Sequence, residues 1–83
     1  MWEVVGYNVR LVKCKDGIER RYYDIYLQRE AQKPAEGFET AAADFREDRY
    51  PYVPQLGDKI FAAFGRSAEG RVYLAELQFV SHA

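Results

Sequence analysis

The sequence predicts a mainly β protein, namely a small all-β, five-stranded barrel of the OB-like or SH3-like kind. Apolar and polar residues alternate along several short segments, which is typical of half-buried strands. Glycine-containing turns separate these segments at short intervals. The length corresponds to one small domain over residues 1–83. In a chain this short, a closed barrel is the simplest arrangement that leaves no strand edge unpaired.

The first predicted strand runs from about Trp2 to Cys14 and changes phase along its length. One phase holds Val5, Tyr7, Val9 and Leu11, and the other holds Trp2, Val4 and Val12. Such a change indicates a bulge, and Gly6 is the expected bending point. The run Lys15-Asp16-Gly17 then predicts a hairpin with a type I′ turn, because Asp-Gly tolerates the positive φ angles of that turn.

The second predicted strand, Ile18 to Gln28, carries the most informative alternation in the chain. One face holds Tyr23, Ile25 and Leu27, and we expect it to join the core. The opposite face holds Arg20, Tyr22, Asp24, Tyr26 and Gln28. Aromatic rings beside cationic groups bind unpaired nucleobases well, although tyrosine is also a favourable strand residue in sheets that bind nothing.

The middle of the chain holds two connections and one ambiguous segment. Residues 29–37 contain proline and glycine and predict a loop. In Phe38–Phe45 the three alanines favour a helix, whereas the alternation allows a short strand. Residues 46–57 predict a second connection, which Tyr50 and Tyr52 are expected to pin onto the body of the domain.

The last part of the sequence predicts two further strands, Asp58–Phe64 and Arg71–Val80, joined by a turn over residues 65–70. The expected core face of the first of them holds Ile60, Ala62 and Phe64. The final residues Ser81, His82 and Ala83 are expected to fray, as chain ends commonly do.

The composition is that of a globular protein, with 48% apolar and 30% charged residues. Because the net charge is −1, the whole-molecule field does not attract a polyanion, but residues 10–21 are basic and residues 29–50 are acidic. No apolar run is long enough to span a bilayer, and the N-terminus lacks the pattern of a signal peptide. The single cysteine excludes an intrachain disulfide. We therefore expect a cytoplasmic protein with no membrane partner.

The sequence contains no recognisable catalytic or metal-binding constellation. His82 is the sole histidine and lies second from the end, where a general base is poorly held. Neither Ser67 nor Ser81 has a visible base partner, and the spacings of zinc and calcium sites do not occur. Cys14 is expected to pack as a small apolar residue. We predict a protein that is not an enzyme and that uses no cofactor and no metal.

The remaining candidates are binding residues. The cations expected to neutralise phosphates are Arg10, Lys13, Arg20 and Arg21 on the first hairpin and Arg71 on the second. Bases would stack on Tyr22 and Tyr26, with Tyr73 as a further candidate. For Phe61 and Tyr73, however, packing in the core is the more expected role. If the faces of the second and fifth strands meet around one barrel, they form the binding groove.

Four features of the sequence point to one family. They are Val5-Gly6-Tyr7 opening a long strand, Lys15-Asp16-Gly17 followed by the aromatic Tyr22–Tyr26, Glu36-Gly37-Phe38 before a short segment, and Tyr52–Ile60 before a hairpin with Gly65 and Gly70. In these features the chain resembles the small OB-like single-stranded-DNA-binding proteins of filamentous phages, plasmids and other mobile elements. The resemblance implies that Phe38–Phe45 is extended and that the protein binds single strands non-specifically, often as a homodimer.

The leading interpretation is a non-catalytic protein that binds single-stranded DNA or RNA on an aromatic and basic sheet face. The alternative is a phage- or plasmid-encoded protein-interaction module, for example an inhibitor of a host protein, because tyrosine and arginine on one face also suit protein interfaces. An acidic patch would then face a basic partner; it holds Glu39, Asp44, Glu47 and Asp48. A third interpretation is a dimerising domain whose aromatic face is buried in a self-contact.

Overall fold

The computed structural model describes residues 1–82, which form one antiparallel sheet of five strands. The strands are β1 (Trp2–Lys13), β2 (Glu19–Glu30), β3 (Phe38–Arg46), β4 (Asp58–Arg66) and β5 (Val72–His82). This part of the chain contains no helix, so the all-β prediction is confirmed. Consistently, none of these residues belongs to a helix long and apolar enough to cross a membrane.

The strand order is β3-β2-β1-β4-β5, and β1 pairs antiparallel with both β2 and β4. The first four strands therefore have the spatial order of a Greek key, in which the fourth strand returns to lie beside the first. The two outermost strands, β3 and β5, approach each other, but no backbone ladder joins them. We call this gap the seam. The sheet is thus not closed by hydrogen bonds.

A bulge in β1 changes the phase of the strand, as the sequence predicts. Val4 lies opposite Leu27, but Gly6 lies opposite Tyr26, so one residue is left over between these pairs. Before the bulge, Trp2 and Val4 point into the core. After it, the core side of β1 carries Tyr7, Val9 and Leu11, which are exposed because β4 pairs only with Trp2 and Glu3.

The core is formed by side chains from all five strands and from the connection after β3. Its buried members are Trp2, Val4, Tyr23, Ile25, Leu27, Phe45, Tyr52, Ile60 and Leu74. The predicted alternation of β2 is confirmed, since its three core-face residues are all buried. Tyr52 contacts an aromatic residue on each outer strand. The centroid of its ring lies 6.3 Å from that of Phe45 on β3 and 5.9 Å from that of Phe79 on β5. Aromatic packing thus connects the two outer strands where the backbone does not.

The ambiguous segment Phe38–Phe45 is a strand, not a helix. It pairs with β2 over its whole length, from Phe38 opposite Glu30 to Arg46 opposite Tyr22. Ala41 and Ala43 pack against the core on the same face as Phe45. Because this pairing and burial require the extended form, the tertiary context overrides the helical preference of alanine.

The hairpin after β1 is confirmed, but its turn is not of type I′. The Gly17 N–H donates to the Cys14 carbonyl at 2.9 Å, and the Cys14 N–H donates to the Ile18 carbonyl at 3.0 Å. Gly17 has φ 82°, whereas no described non-glycine residue has a positive φ, so Asp16 does not adopt the type I′ conformation. This is a three-residue loop in which a type I turn is followed by a left-handed glycine. The Asp16 carboxylate stabilises it by accepting from the Ile18 N–H at 3.0 Å.

The C-terminal residues are held in the sheet, so the prediction that Ser81 and His82 fray is wrong. Ser81 lies opposite Lys59, and His82 lies opposite Asp58. Ala83 lies outside the described residues. The ring of His82 also anchors the strand, because its Nδ1 atom lies 2.6 Å from Oδ1 of Asp58. The ladder with β4 and this contact to a buried carboxylate together hold the end of β5.

Asp58 is the one buried charged residue within residues 1–82, and it is fully hydrogen-bonded. Its carboxylate accepts from the Tyr52 hydroxyl at 2.6 Å and from the Gln55 N–H at 3.0 Å, in addition to its contact with His82. Burial raises the pKa of Asp58, but these contacts outweigh burial and leave it below its usual value. Burial and the neighbouring carboxylate raise the pKa of Tyr52. The expected pinning of the connection by Tyr52 is confirmed.

Because its folded-state pKa is lowered, Asp58 contributes stability that is present above about pH 4 and is lost as the pH falls further. We expect Asp58→Asn to lower the free energy of unfolding by about 1–3 kcal/mol at neutral pH, since the charge-assisted hydrogen bonds are lost. The difference from the natural protein should shrink in acid. Urea unfolding of both proteins, at neutral pH and in acid, measures this difference in the free energy of unfolding. In Asp48→Asn, which removes an exposed carboxylate, the difference should be much smaller.

Ile25 and Val9 lie on the same side of the β1–β2 pair, but Ile25 belongs to the core and Val9 to the part of the hairpin that projects beyond it. Ile25 is fully buried, whereas Val9 is 46% exposed. We expect Ile25→Ala to cost about 2–4 kcal/mol of unfolding free energy, because it leaves a cavity. Val9→Ala should cost less than about 1 kcal/mol. Equal losses in urea unfolding would contradict the placement of the core.

Candidate functional site

The outer face of β1, β2 and β3 presents three cross-strand rows of side chains. From β1 to β3 these rows are Arg10-Tyr22-Arg46, Asn8-Asp24-Asp44 and Gly6-Tyr26-Ala42. Aromatic rings therefore alternate with an acidic row along the middle strand. The predicted outer face of β2 is confirmed, since its members lie opposite to the buried face.

Tyr22 is the centre of the first row and lies between two arginines. The guanidinium carbon of Arg10 is 5.6 Å from the centroid of the Tyr22 ring. Arg46 is its neighbour on β3. A cation at this distance from a ring is attracted to its π system, so Arg10 helps to hold the ring in place.

A cleft of about 590 Å³ opens at the seam beside Tyr22. We call it the seam cleft; its lining residues are Tyr22, Asp44, Phe45, Arg46, Arg49, Tyr50, Tyr73 and Leu74. Tyr22 and Tyr73, which come from β2 and β5, line the same cleft, so the faces of these two strands meet there. The Tyr50 hydroxyl donates to the Leu74 carbonyl at 3.3 Å, which ties the connection after β3 to β5.

Six of the eight cleft residues were not predicted as nucleic-acid-binding residues, and Asp44 was considered only for an acidic patch. The polar or aromatic ones with the most to offer a ligand, besides Asp44, are Arg46, Arg49 and Tyr50. Arg46, Arg49 and Tyr50 lie in residues 29–50, whose net charge is negative, and this obscured Arg46 and Arg49 as binding candidates. The spacing Arg46-x-x-Arg49-Tyr50 directly after an aromatic strand residue was the available signal. Arg49 is exposed, and its guanidinium carbon lies 5.8 Å from the centroid of the Tyr50 ring.

The rings of Tyr26 and Tyr73 each lie across a glycine of the neighbouring strand. A Cβ atom on Gly6 would be 3.1 Å from the Tyr26 ring, and one on Gly65 would be 2.6 Å from the Tyr73 ring. Because glycine has no Cβ atom, each ring can occupy the space above it. Tyr73 is 49% exposed and Phe61 is 47% exposed, so the expectation that both pack in the core is wrong.

Tyr26 is outside the seam cleft. It lies beside a separate shallow depression of about 380 Å³ that Asp24, Ala42, Ala43 and Asp44 also line. Asp44 is common to both cavities. The two predicted stacking rings of β2 are therefore separated by the acidic row.

Two of the predicted phosphate-binding cations are already neutralised within the protein. Arg10 makes a bidentate ion pair with Asp24, with contacts of 2.8 and 2.9 Å, and reaches Asp44 at 3.3 Å. Arg20 pairs with Asp16 at 2.9 Å. The hydrogen bonds to these carboxylates raise the pKa of both arginines, so both stay charged but compensated.

The other predicted cations lie away from the seam cleft. Lys13 and Arg21 are exposed at the tip of the first hairpin, on the face opposite to Arg20 and Tyr22. Arg71 is exposed in the turn before β5, where its N–H donates to the Ser67 hydroxyl at 3.1 Å. Arg10, Lys13, Arg20 and Arg21 therefore do not form one continuous basic surface. The prediction failed here because alternation places neighbouring arginines on opposite faces.

The acidic patch considered for a basic partner is also partly neutralised. Asp48 pairs with Arg46 at 2.6 Å, and this contact lowers the pKa of Asp48. Glu39 pairs with Arg29 at 2.7 Å. The guanidinium of Arg29 in turn lies 4.2 Å from the centre of the Trp2 ring. These acids serve local contacts and do not present a uniform negative surface.

No protein-family model, no curated protein and no solved structure matches this chain. Within residues 1–82, no group of three or more His, Cys, Asp or Glu side chains is placed to hold a metal ion. The functional argument therefore depends on the geometry of the seam cleft and its neighbouring charges.

Gly65→Ala tests the position of the Tyr73 ring. An alanine Cβ would occupy the space of the ring, so we expect a loss of roughly 1 kcal/mol of unfolding free energy. In a Tyr73→Ala background the same change should be neutral or stabilising, because alanine is tolerated better than glycine inside strands. A double-mutant cycle by urea unfolding measures the coupling. Equal effects in both backgrounds would contradict the contact.

Proposed function

We propose that the protein binds single-stranded nucleic acid without catalysis, and that a base occupies the seam cleft. The observation that supports this most strongly is the placement of Tyr22 and Tyr73, from strands distant in sequence, in one cleft with Arg46 and Arg49. Stacking on tyrosine rings and charge attraction from arginines are the two interactions that proteins use to bind unpaired strands.

We also propose that the sheet forms an OB-like barrel and not an SH3-like one. The Greek-key strand order and the proximity of β3 and β5 across the seam favour this assignment. The OB fold is a partly open Greek-key barrel that binds oligonucleotides on its β2–β3 face, with help from the β1–β2 and β4–β5 loops. The seam cleft lies on the β2–β3 face. This agrees with the resemblance to the single-stranded-DNA-binding proteins of phages and mobile elements.

The charges support a binding mode in which stacking contributes more than phosphate contacts. Arg49 takes part in no salt bridge among residues 1–82, whereas Arg10 and Arg20 are compensated by carboxylates. Each phosphate that is neutralised adds to the salt dependence of binding. We therefore infer a modest salt dependence, carried by Arg49 and by the exposed cations Lys13, Arg21 and Arg71.

One observation favours the second candidate, a protein-interaction module. Tyr7, Val9 and Leu11 form a row on the core side of the projecting hairpin and are 46%, 46% and 66% exposed. A protein partner, either a host protein or a second copy in a homodimer, would bury this apolar row. Because this face is opposite to Tyr22, such a contact and the proposed stacking of bases are compatible.

Substitution of the cleft tyrosines tests the proposed function. We expect Tyr22→Ala and Tyr73→Ala each to weaken binding of labelled oligo-dT by about 1–3 kcal/mol, because each removes a stacking surface. Tyr7→Ala is the matched control: Tyr7 is 46% exposed, similar to Tyr73, but lies on the opposite face, so its loss should leave affinity unchanged. Fluorescence anisotropy measures the affinities.

The titration should be repeated at low and moderate salt, with duplex DNA as a second ligand. We expect binding to the single strand to weaken with salt and binding to the duplex to be weaker throughout. If no oligonucleotide binds at low salt, the nucleic-acid proposal is wrong and the protein-interaction module becomes the better explanation. If Tyr7→Ala is as damaging as Tyr22→Ala, the strand binds on the other face.

A further inference from the structure

We propose that Asp44 and Arg49 make the seam cleft selective for guanine. This inference depends on the proposed function, because it concerns the base that the cleft accepts. The cleft walls are mainly aromatic and apolar, and they include two arginines but only one carboxylate. Its selectivity must therefore come from the few polar groups that a stacked base meets at its edges.

Asp44 is the carboxylate that is available to a ligand. Its side chain is 61% exposed, and its single contact among the described residues is Oδ2 with the Arg10 guanidinium at 3.3 Å. In contrast, Asp24 has both oxygens bonded to Arg10 and one of them also to Asn8. Asp44 therefore keeps a free oxygen at the wall of the cleft.

Arg49 is the available donor. Arg46, the other arginine of the cleft, donates from Nε to Asp48 at 2.6 Å. Arg49 has no such carboxylate partner among residues 1–82 and is placed by its contact with the Tyr50 ring. The cleft therefore offers one free acceptor group and one free guanidinium.

Guanine is the base whose edges match this pair of groups. Its N1–H and N2 amino group are adjacent donors that suit a carboxylate, and its O6 and N7 atoms are adjacent acceptors that suit a guanidinium. Thymine and uracil present a single N–H between two carbonyl oxygens, which a carboxylate repels. Adenine and cytosine place a ring-nitrogen acceptor next to their amino group. Asp44 thus attracts guanine and acts against the other bases.

The fold itself does not require an acid at this position. Asp44 lies directly opposite Asp24 in the β2–β3 ladder, and like charges in that arrangement destabilise a sheet. Arg10 reduces the repulsion between the two carboxylates, but two of its hydrogen bonds go to Asp24 and only one goes to Asp44. Asp44 is therefore the less strongly paired acid of the two, and its charge is the part of this row that a ligand can use.

The test compares short oligo-dT with the same strand carrying one central deoxyguanosine, deoxyinosine or 7-deazadeoxyguanosine. Inosine lacks only the N2 amino group, and 7-deazaguanine lacks only the N7 acceptor. We expect the guanine strand to bind about fivefold or more tightly than oligo-dT, with part of this gain lost for each analogue. Fluorescence anisotropy under one salt condition provides all four affinities.

Two variants assign the effect to residues. Asp44→Asn should abolish the preference for guanine over inosine, whereas Glu47→Gln, which removes the same charge from an exposed residue outside the cleft, should keep it. Arg49→Lys should abolish the penalty for 7-deazaguanine, because lysine cannot form the bidentate contact.

The outcomes distinguish this inference from the proposed function. Equal binding of guanine and thymine strands, with both weakened by Tyr22→Ala, would overturn the guanine site and leave the nucleic-acid function standing. A guanine preference that survives Asp44→Asn would overturn the role of Asp44. Absence of binding to every strand would overturn both proposals.

Discussion

The structure depends on the short junction between β1 and β4. Two residue pairs, Trp2 with Ile60 and Glu3 with Lys59, form the whole ladder between the β1–β2–β3 unit and the β4–β5 hairpin. The Gly57 N–H extends it by donating to the Val4 carbonyl at 2.9 Å, and Lys59 forms an ion pair with Glu3. So few backbone bonds do not by themselves fix the orientation of the three-stranded unit and the β4–β5 hairpin. The orientation is completed by buried side chains on both sides, Val4 and Ile60 among them.

The buried carboxylate at the start of β4 strengthens this junction. Asp58 is bonded to the connection before β4 through Tyr52 and Gln55, and to the last strand through His82. A buried charge is costly unless all its acceptor sites are used, and here they join three segments of the chain. The carboxylate therefore contributes by fixing one arrangement of the segments that place β5 near β3.

Much of the fold could be predicted from the sequence because it depends on local periodicity. The alternation around Ile25 and the phase change at Gly6 need no knowledge of distant residues. The turn type at Asp16 was missed because its side chain bonds the backbone of Ile18, which stabilises a different loop from the one that Asp-Gly usually forms. The strand at Phe38–Arg46 needed its partner β2 to overcome the preference of alanine for helix.

The candidate site could be predicted only in part, because its charges are decided by long-range register. Tyr22 was identified from its strand face, whereas Tyr73 was only a further candidate for which core packing was the more expected role. The pairing of Arg10 with Asp24 follows from the register between β1 and β2. No local pattern distinguishes a paired arginine from a free one. Arg49 was missed for the same reason, since its freedom from carboxylates is a property of the folded surface.

The seam cleft lies where β3 and β5 approach each other without forming a ladder. Paired strands lie about 4.8 Å apart, so a ladder across the seam would draw β3 and β5 together at the place where the cleft opens. Tyr52 packs against both outer strands, through Phe45 of β3 and Phe79 of β5. The hydroxyl of the same ring donates to Asp58, which links this aromatic packing to the start of β4. The aromatic packing that joins the two outer strands and the hydrogen bond to the buried carboxylate therefore depend on the same side chain, Tyr52.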